Sequence, residues 1–379
     1  MKTRTNLLVL ALLLLAAGSS FPALAQTKIP YGPDPMQYGE LSLPEGAGPF
    51  PVVTFLHAGC WRSTEGMINS YRAMAKVMTE HGIAAWNLQY RGATSDGGGW
   101  PGTWLDIANG FDALAGLAGQ YPLDLQQAIV VGHSSGGHFG AWLATRPQLP
   151  KDSEIYVEPA LNPTALVMAD AYINPMVIDS MGVSGEIYCG EPLLEKLTGA
   201  PVDEKGANFR AISPLEWLPW GIPQEYIVST YRYPLSMPRE LAQGKTALQT
   251  LPDYPAMAII AGDEVSVRII ANEDHGDFVK EGARGYLATI SAVLRLLEQA
   301  GVAYAGCDAK ASDLTFDKWR TRQTVSAMGV QVAPGRNFPA NAKPTAATLA
   351  ANASRASHVS GLPPQSPIGI DMRISRRPR

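Results

Sequence analysis

Apolar residues fall along this chain in two alternating rhythms between about residues 36 and 300. Short continuous runs at Pro51–Leu56, Ile83–Leu88, Ala128–Val131, Ala165–Met168, Glu225–Val228 and Val265–Ile270 have the length and residue types of strands covered on both faces. Between them, Ile68–His81, Trp104–Leu117, Gly137–Ala144 and Gly282–Glu298 space their apolar residues three and four apart, the pattern of a helix packed on one side. Gly82 stands where a C-cap glycine would end the first of these. Strands and helices in alternation predict an α/β fold with a mostly parallel central sheet and helices on both faces. No internal repeat is visible.

The rhythm breaks over 171–222, where Pro175, Pro192, Pro201, Pro214 and Pro219 predict a Pro-rich cap inserted above the sheet. It fades again beyond Ala303, and the Ala-, Pro-, Asn-, Ser- and Gly-rich stretch from Ser326 makes 304–379 a mostly disordered tail by expectation. At the other end, Lys2 and Arg4 precede the apolar run Leu7–Ala17, and Ala23-Leu24-Ala25 supplies a small-x-small cleavage pattern. A bilayer-spanning helix needs about 20 apolar residues, so the run reads as a removable export signal over 1–25. The domain expected to remain is 26–303, periplasmic or secreted, without stable membrane insertion.

Composition adds two exclusions. With 46% hydrophobic and 17% charged side chains, the chain belongs with soluble globular proteins. Residues 26–319 carry 19 basic against 33 acidic side chains, whereas 320–379 carry nine basic residues and one acid, Asp371. An acidic body argues against a nucleic-acid-binding core, while the basic tail could meet an anionic surface or the body itself. Cys60, Cys189 and Cys307 are too few for a disulfide scaffold. One bridge or three buried thiols both fit them. No H-E-x-x-H, no C-x-x-C and no Gly-rich phosphate loop with its Lys occurs, so no metal and no cofactor is implied.

The strongest chemical signal is Gly132-His133-Ser134-Ser135-Gly136-Gly137, directly after a predicted strand and opening a predicted helix. A serine lifted above a sheet on so sharp a turn needs small residues two before and two after it, because side chains there would meet backbone. Ser134 is therefore the candidate nucleophile. His133 and His138 read as packing residues. At the end of the first strand, His57-Ala58-Gly59-Cys60-Trp61-Arg62 offers backbone N–H groups of Ala58 or Gly59, opposite that of Ser135, to an oxygen that becomes an anion during acyl transfer. Trp61 follows this loop directly and is the candidate substrate-lining residue. Arg91 and Asp106 read as a structural ion pair or caps.

These segments, with Tyr90-Arg91 and Gly97-Gly98-Gly99-Trp100-Pro101 between them, resemble the α/β-hydrolase esterase and lipase group whose oxyanion motif is written H-G-G-x-W. Kynurenine formamidases and secreted acetyl and feruloyl esterases are similar. The resemblance spans about 40–300 and implies an α/β-hydrolase fold, a serine nucleophile, a histidine base and hydrolysis of a small-molecule or polymer-linked ester. Ala58 replaces the usual glycine, which adds a methyl group and removes no N–H.

His275, the one histidine in the loop after the last predicted strand, is the expected base. The acid is less plain. The family places an Asp just past the penultimate strand, and here Tyr233 occupies that place in Ser229–Pro238. Asp170, Asp253 and Glu240 are the alternatives, with Asp170 favoured because a neighbouring strand end also faces the top of the sheet. Tyr233 equally supports a non-catalytic, ligand-binding descendant, and a formamidase or an exopeptidase of the same fold stays open beside the ester hydrolase.

Overall fold

The computed structural model describes residues 26–175, 193–200, 206–229 and 253–304 and the main chain of 369–374. Its strands are β1 (Thr27–Pro30), β2 (Tyr38–Ser42), β3 (Phe50–Leu56), β4 (Ala84–Leu88), β5 (Leu123–His133), β6 (Ala165–Ala169), β7 (Gln224–Ser229), β8 (Val265–Ile270) and β9 (Gly369–Ile374). They form one sheet in the order β1-β2-β4-β3-β5-β6-β7-β8-β9. β3 to β8 run parallel, and β1, β2 and β9 add antiparallel edges. The helices are α1 (Arg72–Glu80), α2 (Gly102–Leu117), α3 (Ser135–Thr145), α4 (Leu194–Thr198), α5 (Ala207–Ala211), α6 (Asp253–Ala261) and α7 (Arg284–Gln299). This is the α/β-hydrolase architecture.

Alternation along the central strands sends side chains to two separate cores. Val52 and Leu56 of β3 join Trp86, Trp104, Phe139 and Trp142 in an aromatic-rich layer under α2 and α3. Val53 and Phe55 join Met74, Met78, Ile290, Leu294 and Leu297 under α1 and α7. Arg91 and Asp106 are the expected structural pair, 2.7 Å apart, with the carboxylate also holding the Arg91 N–H and the Gln37 amide.

Three features go beyond the expectations. The chain enters the sheet earlier than predicted, because β1 and β2 are held by hairpin and ion-pair contacts rather than by an apolar run: Glu40 of β2 binds Arg72. In the tail expected to be mostly disordered, Gly369–Ile374 forms a strand on the open edge of β8; the other residues from 305 lie outside the described ones. The cap is built against the body where it is described. Lys196 O accepts from Trp100 N–H, Leu197 O from the Trp104 indole, and Ala211 O from the Trp142 indole.

Candidate active site

Ser134 sits between β5 and α3 with φ +58° and ψ −124°, a conformation that non-glycine residues adopt only when the surroundings impose it. The sterics that demand glycine nearby are visible. A Cβ on Gly132 would lie 2.3 Å from Gly136 O, and one on Gly136 would lie 2.0 Å from Leu56 O and 2.7 Å from His57 O. Three backbone hydrogen bonds fix the serine: its N–H donates to Ala169 O at 3.1 Å, and its carbonyl accepts from Gly137 at 3.0 Å and Tyr172 at 3.2 Å. Its neighbour Ser135 begins α3, so the Ser135 N–H is one of the donors that a helix start leaves without an intrahelical partner.

The loop after β3 is tied down from all sides. The buried His57 ring stacks on Tyr90 at 4.2 Å, its Nδ1 donates to Ala58 O at 2.8 Å, and its Nε2 accepts from Ser63 Oγ at 3.2 Å. Burial keeps this imidazole neutral, lowering its pKa from 6.5 to about 4. Ala58 and Gly59, equivalent candidates in the sequence, are not equivalent here. The Ala58 N–H donates to Tyr71 Oη at 3.0 Å and is committed. The Gly59 N–H makes no hydrogen bond among the described residues, and a trans peptide whose carbonyl turns to His57 points that N–H the opposite way. Gly59 also has φ +149°, and a Cβ there would lie 2.4 Å from Met67 Sδ and 2.8 Å from Arg62 O. Of the candidate N–H groups, those of Gly59 and Ser135 remain without a hydrogen bond among the described residues.

Trp61 needs correcting too. It is 1% exposed, and its indole N–H donates to His138 Nδ1 at 2.9 Å, so it packs into the core instead of facing a substrate. His138, with Nε2 donating to Ile212 O at 2.7 Å, is the packing residue expected, and burial lowers its pKa to about 4. Cys60 is disulfide-bonded; the other cysteines, Cys189 and Cys307, lie outside the described residues.

His275 opens a short 3-10 turn after β8, His275–Phe278, capped by Asp274 and Asp277. Its Nδ1 is 2.6 Å from Asp170 Oδ2. Asp170 follows β6 at φ +45° and is wholly buried, while its Oδ1 accepts from the Ser229 N–H at 2.9 Å and Ser229 Oγ at 3.2 Å. A carboxylate facing Nδ1 puts the ring proton there and makes Nε2 the lone-pair nitrogen. Asp170, the favoured candidate acid, thus stands at the end of the strand next to that of Ser134, and the end of β7 contributes the serine that holds its carboxylate. Tyr233 and Glu240 lie outside the described residues, as does the Asp253 side chain.

The sequence reading passed over Ser229, Tyr71 and Tyr172, none of which lies in a motif, and took His133 for packing. Among the described residues, no group of three or more His, Cys, Asp and Glu could hold a metal ion, and no helix is long and apolar enough to cross a membrane.

Comparison with known proteins fits the fold. Residues 40–227 match the family model described as BD-FAE, an α/β-hydrolase esterase family. Among solved structures, propionate-bound esterase Est2 from Thermogutta terrifontis is 16% identical, with TM-score 0.55 over 74% of this chain and 97% of that one. Esterase B from Lactobacillus rhamnosis is 17% identical, with TM-score 0.54 over 80% and 89%. An acetyl ester-xyloside bifunctional hydrolase from Caldicellulosiruptor lactoaceticus is 14% identical, with TM-score 0.50 over 74% and 98%. No curated protein matches the sequence.

Proposed function

We propose, from the premise that this chain belongs to the α/β-hydrolase esterase family, that it is an exported serine hydrolase cleaving carboxylic esters through an acyl-enzyme. The family match supports a hydrolase acting on esters. The observations that carry the finer reading are the 2.6 Å contact of Asp170 with His275 and the serine held at positive φ in the turn after β5.

In this reading Ser134 Oγ attacks the ester carbonyl carbon as its proton passes to His275 Nε2, and the Asp170 carboxylate stabilises the imidazolium. The carbonyl oxygen becomes an anion facing the N–H groups of Gly59 and Ser135; one such donor is typically worth about 10²- to 10³-fold in rate. Collapse expels the alcohol, which takes the proton from His275. Water, activated by the same nitrogen, then releases the acid and restores Ser134.

Export is supported by the basic, apolar and Ala-x-Ala order of residues 1–25 and by a disulfide at Cys60, a bond favoured outside the cytosol. An exported location favours acyl groups on extracellular polymers or small esters over an intracellular formamide. An active-site fluorophosphonate should label the folded protein at Ser134, and Ser134→Ala should abolish the labelling. Equal labelling of both proteins would overturn the reading. Turnover of short acyl nitrophenyl esters against N-formylkynurenine distinguishes esterase from formamidase.

A further inference from the structure

His133, the residue before the nucleophile, is 3% exposed and takes no part in the chemistry above. Its Nε2 lies 3.0 Å from the main-chain oxygen of His275, and its Nδ1 3.3 Å from Tyr71 Oη. Tyr71 Oη in turn lies 3.0 Å from Ala58 N. Donor logic orders these contacts. A carbonyl oxygen carries no proton, so His133 Nε2 donates to His275 O. Nδ1 then holds a lone pair and accepts from the Tyr71 hydroxyl, whose oxygen accepts from the Ala58 N–H. The run passes from the oxyanion loop to the base loop without touching substrate.

Both ends of this run sit on main chain that carries reacting groups. At one end it fixes the Ala58 peptide nitrogen, next to the Gly59 N–H that faces the oxyanion. At the other it fixes the carbonyl of the residue whose imidazole moves the proton. The His133 ring also lies 4.6 Å from the His275 ring and is stacked 6.0 Å from Phe278, which limits sideways movement of the base loop. We infer that His133 and Tyr71 are positioning residues for ester hydrolysis, a buried link that sets the oxyanion donors and the general base in register with each other. The inference rests on the serine-hydrolase reading.

The test uses the full-length protein and a short acyl nitrophenyl ester, with Tyr71→Phe, His133→Leu, His133→Gln and the Tyr71→Phe/His133→Leu double variant. Misplacement of reacting groups by about 1 Å costs on the order of 10²-fold, so kcat should fall about 10- to 100-fold in Tyr71→Phe and His133→Leu with KM within about threefold. The double variant should be no slower than the slower single one, because both changes cut one run. His133→Gln, whose amide N–H reaches toward His275 O, should recover part of what His133→Leu loses. Multiplicative losses in the double variant, or His133→Gln no faster than His133→Leu, would overturn the link. If His133→Leu does not fold by thermal melting, Tyr71→Phe keeps the ring packing and decides alone: unchanged kcat overturns the inference. A wild type that neither turns over ester nor reacts with fluorophosphonate removes the serine-hydrolase reading itself. An active, labelled wild type whose variants match it removes only the link.

Discussion

Around Ser134 the main chain sets the geometry: glycines at 132 and 136 let backbone atoms approach to distances that no Cβ would allow, and the strained turn follows from that crowding. Around His275 the side chains set it. The imidazole comes from the loop after β8, the carboxylate from the end of β6 and the hydroxyl and N–H that hold the carboxylate from Ser229 of β7. One half of the site is thus continuous in sequence and held by repulsion; the other is assembled from three strand ends and held by hydrogen bonds. Repulsive constraints fail by unfolding the turn, whereas hydrogen-bonded ones fail by misplacing a proton in a protein that stays folded.

The largest effect that separates these modes is on Ser134, the proposed nucleophile. Ser134→Ala removes one oxygen, leaves the crowded backbone alone and should lower kcat about 10⁴- to 10⁶-fold, with thermal unfolding unchanged or shifted slightly upward as strain at the turn persists. Residual turnover within about tenfold of wild type would place the nucleophile elsewhere. Asp170→Asn comes next. The new amide would offer an N–H to His275 Nδ1, forcing the proton onto Nε2, so the ring could not accept from Ser134; the loss should be about 10⁴-fold in kcat with the fold kept. Circular dichroism beside steady-state kinetics checks both parts.

Gly136→Ala should behave in the opposite manner. Its Cβ would meet two carbonyl oxygens of the Leu56–His57 segment, backbone atoms that cannot rotate aside, and overpacking of this kind costs about 1–3 kcal/mol or more. Denaturant titration should show the loss in stability directly. A Gly136→Ala protein of wild-type stability would break the comparison, since the turn would then not be held by repulsion. Asp106→Asn is the control outside both halves: removing one partner of the buried Arg91 pair should cost about 3–5 kcal/mol of stability while kcat of the folded fraction stays put.

The same contrast explains what could be read from the sequence. The six central strands and four long helices announce themselves because burial on one or two faces writes a periodic pattern, and the Ser134 turn does so because sterics demand particular residues at fixed offsets. Ala58 and Gly59 are indistinguishable in sequence, since what separates them is the Tyr71 hydroxyl, thirteen residues away from Ala58 and in no motif. Asp170 is 105 residues from His275, and only the order β6, β7, β8 in the sheet brings it to the imidazole. Tyr233 drew attention to the end of β7, where the described contribution is Ser229 holding the carboxylate. Trp61 was misassigned for a related reason: an aromatic beside a catalytic loop has the same composition whether it faces substrate or core. Strands β1 and β2 escaped because Gly39 and Glu40 break any apolar run; a Cβ at Gly39 would collide with the Trp86 ring, and Glu40 meets Arg72.

The smallest effect concerns acid. His57 braces the loop after β3 and His138 is a buried residue of α3, and burial lowers both from 6.5 to about 4. Above pH 6.5 each is neutral in folded and unfolded chains alike and contributes no pH dependence. As pH falls from 6.5 toward 4, the unfolded chain takes up a proton that the folded protein refuses, so stability declines; below about 4 the folded form protonates as well and the decline ends. At pH 5 each histidine should therefore cost about 2 kcal/mol relative to pH 7. Denaturation midpoints at the two pH values measure this. His138→Gln, whose amide can still donate to Ile212 O, should be less stable than wild type at pH 7 yet lose less between pH 7 and pH 5. If wild type and His138→Gln show the same acid loss, the buried imidazole of α3 is not the group resisting protonation, and the acid sensitivity belongs to the hydrogen-bonded half of the site instead.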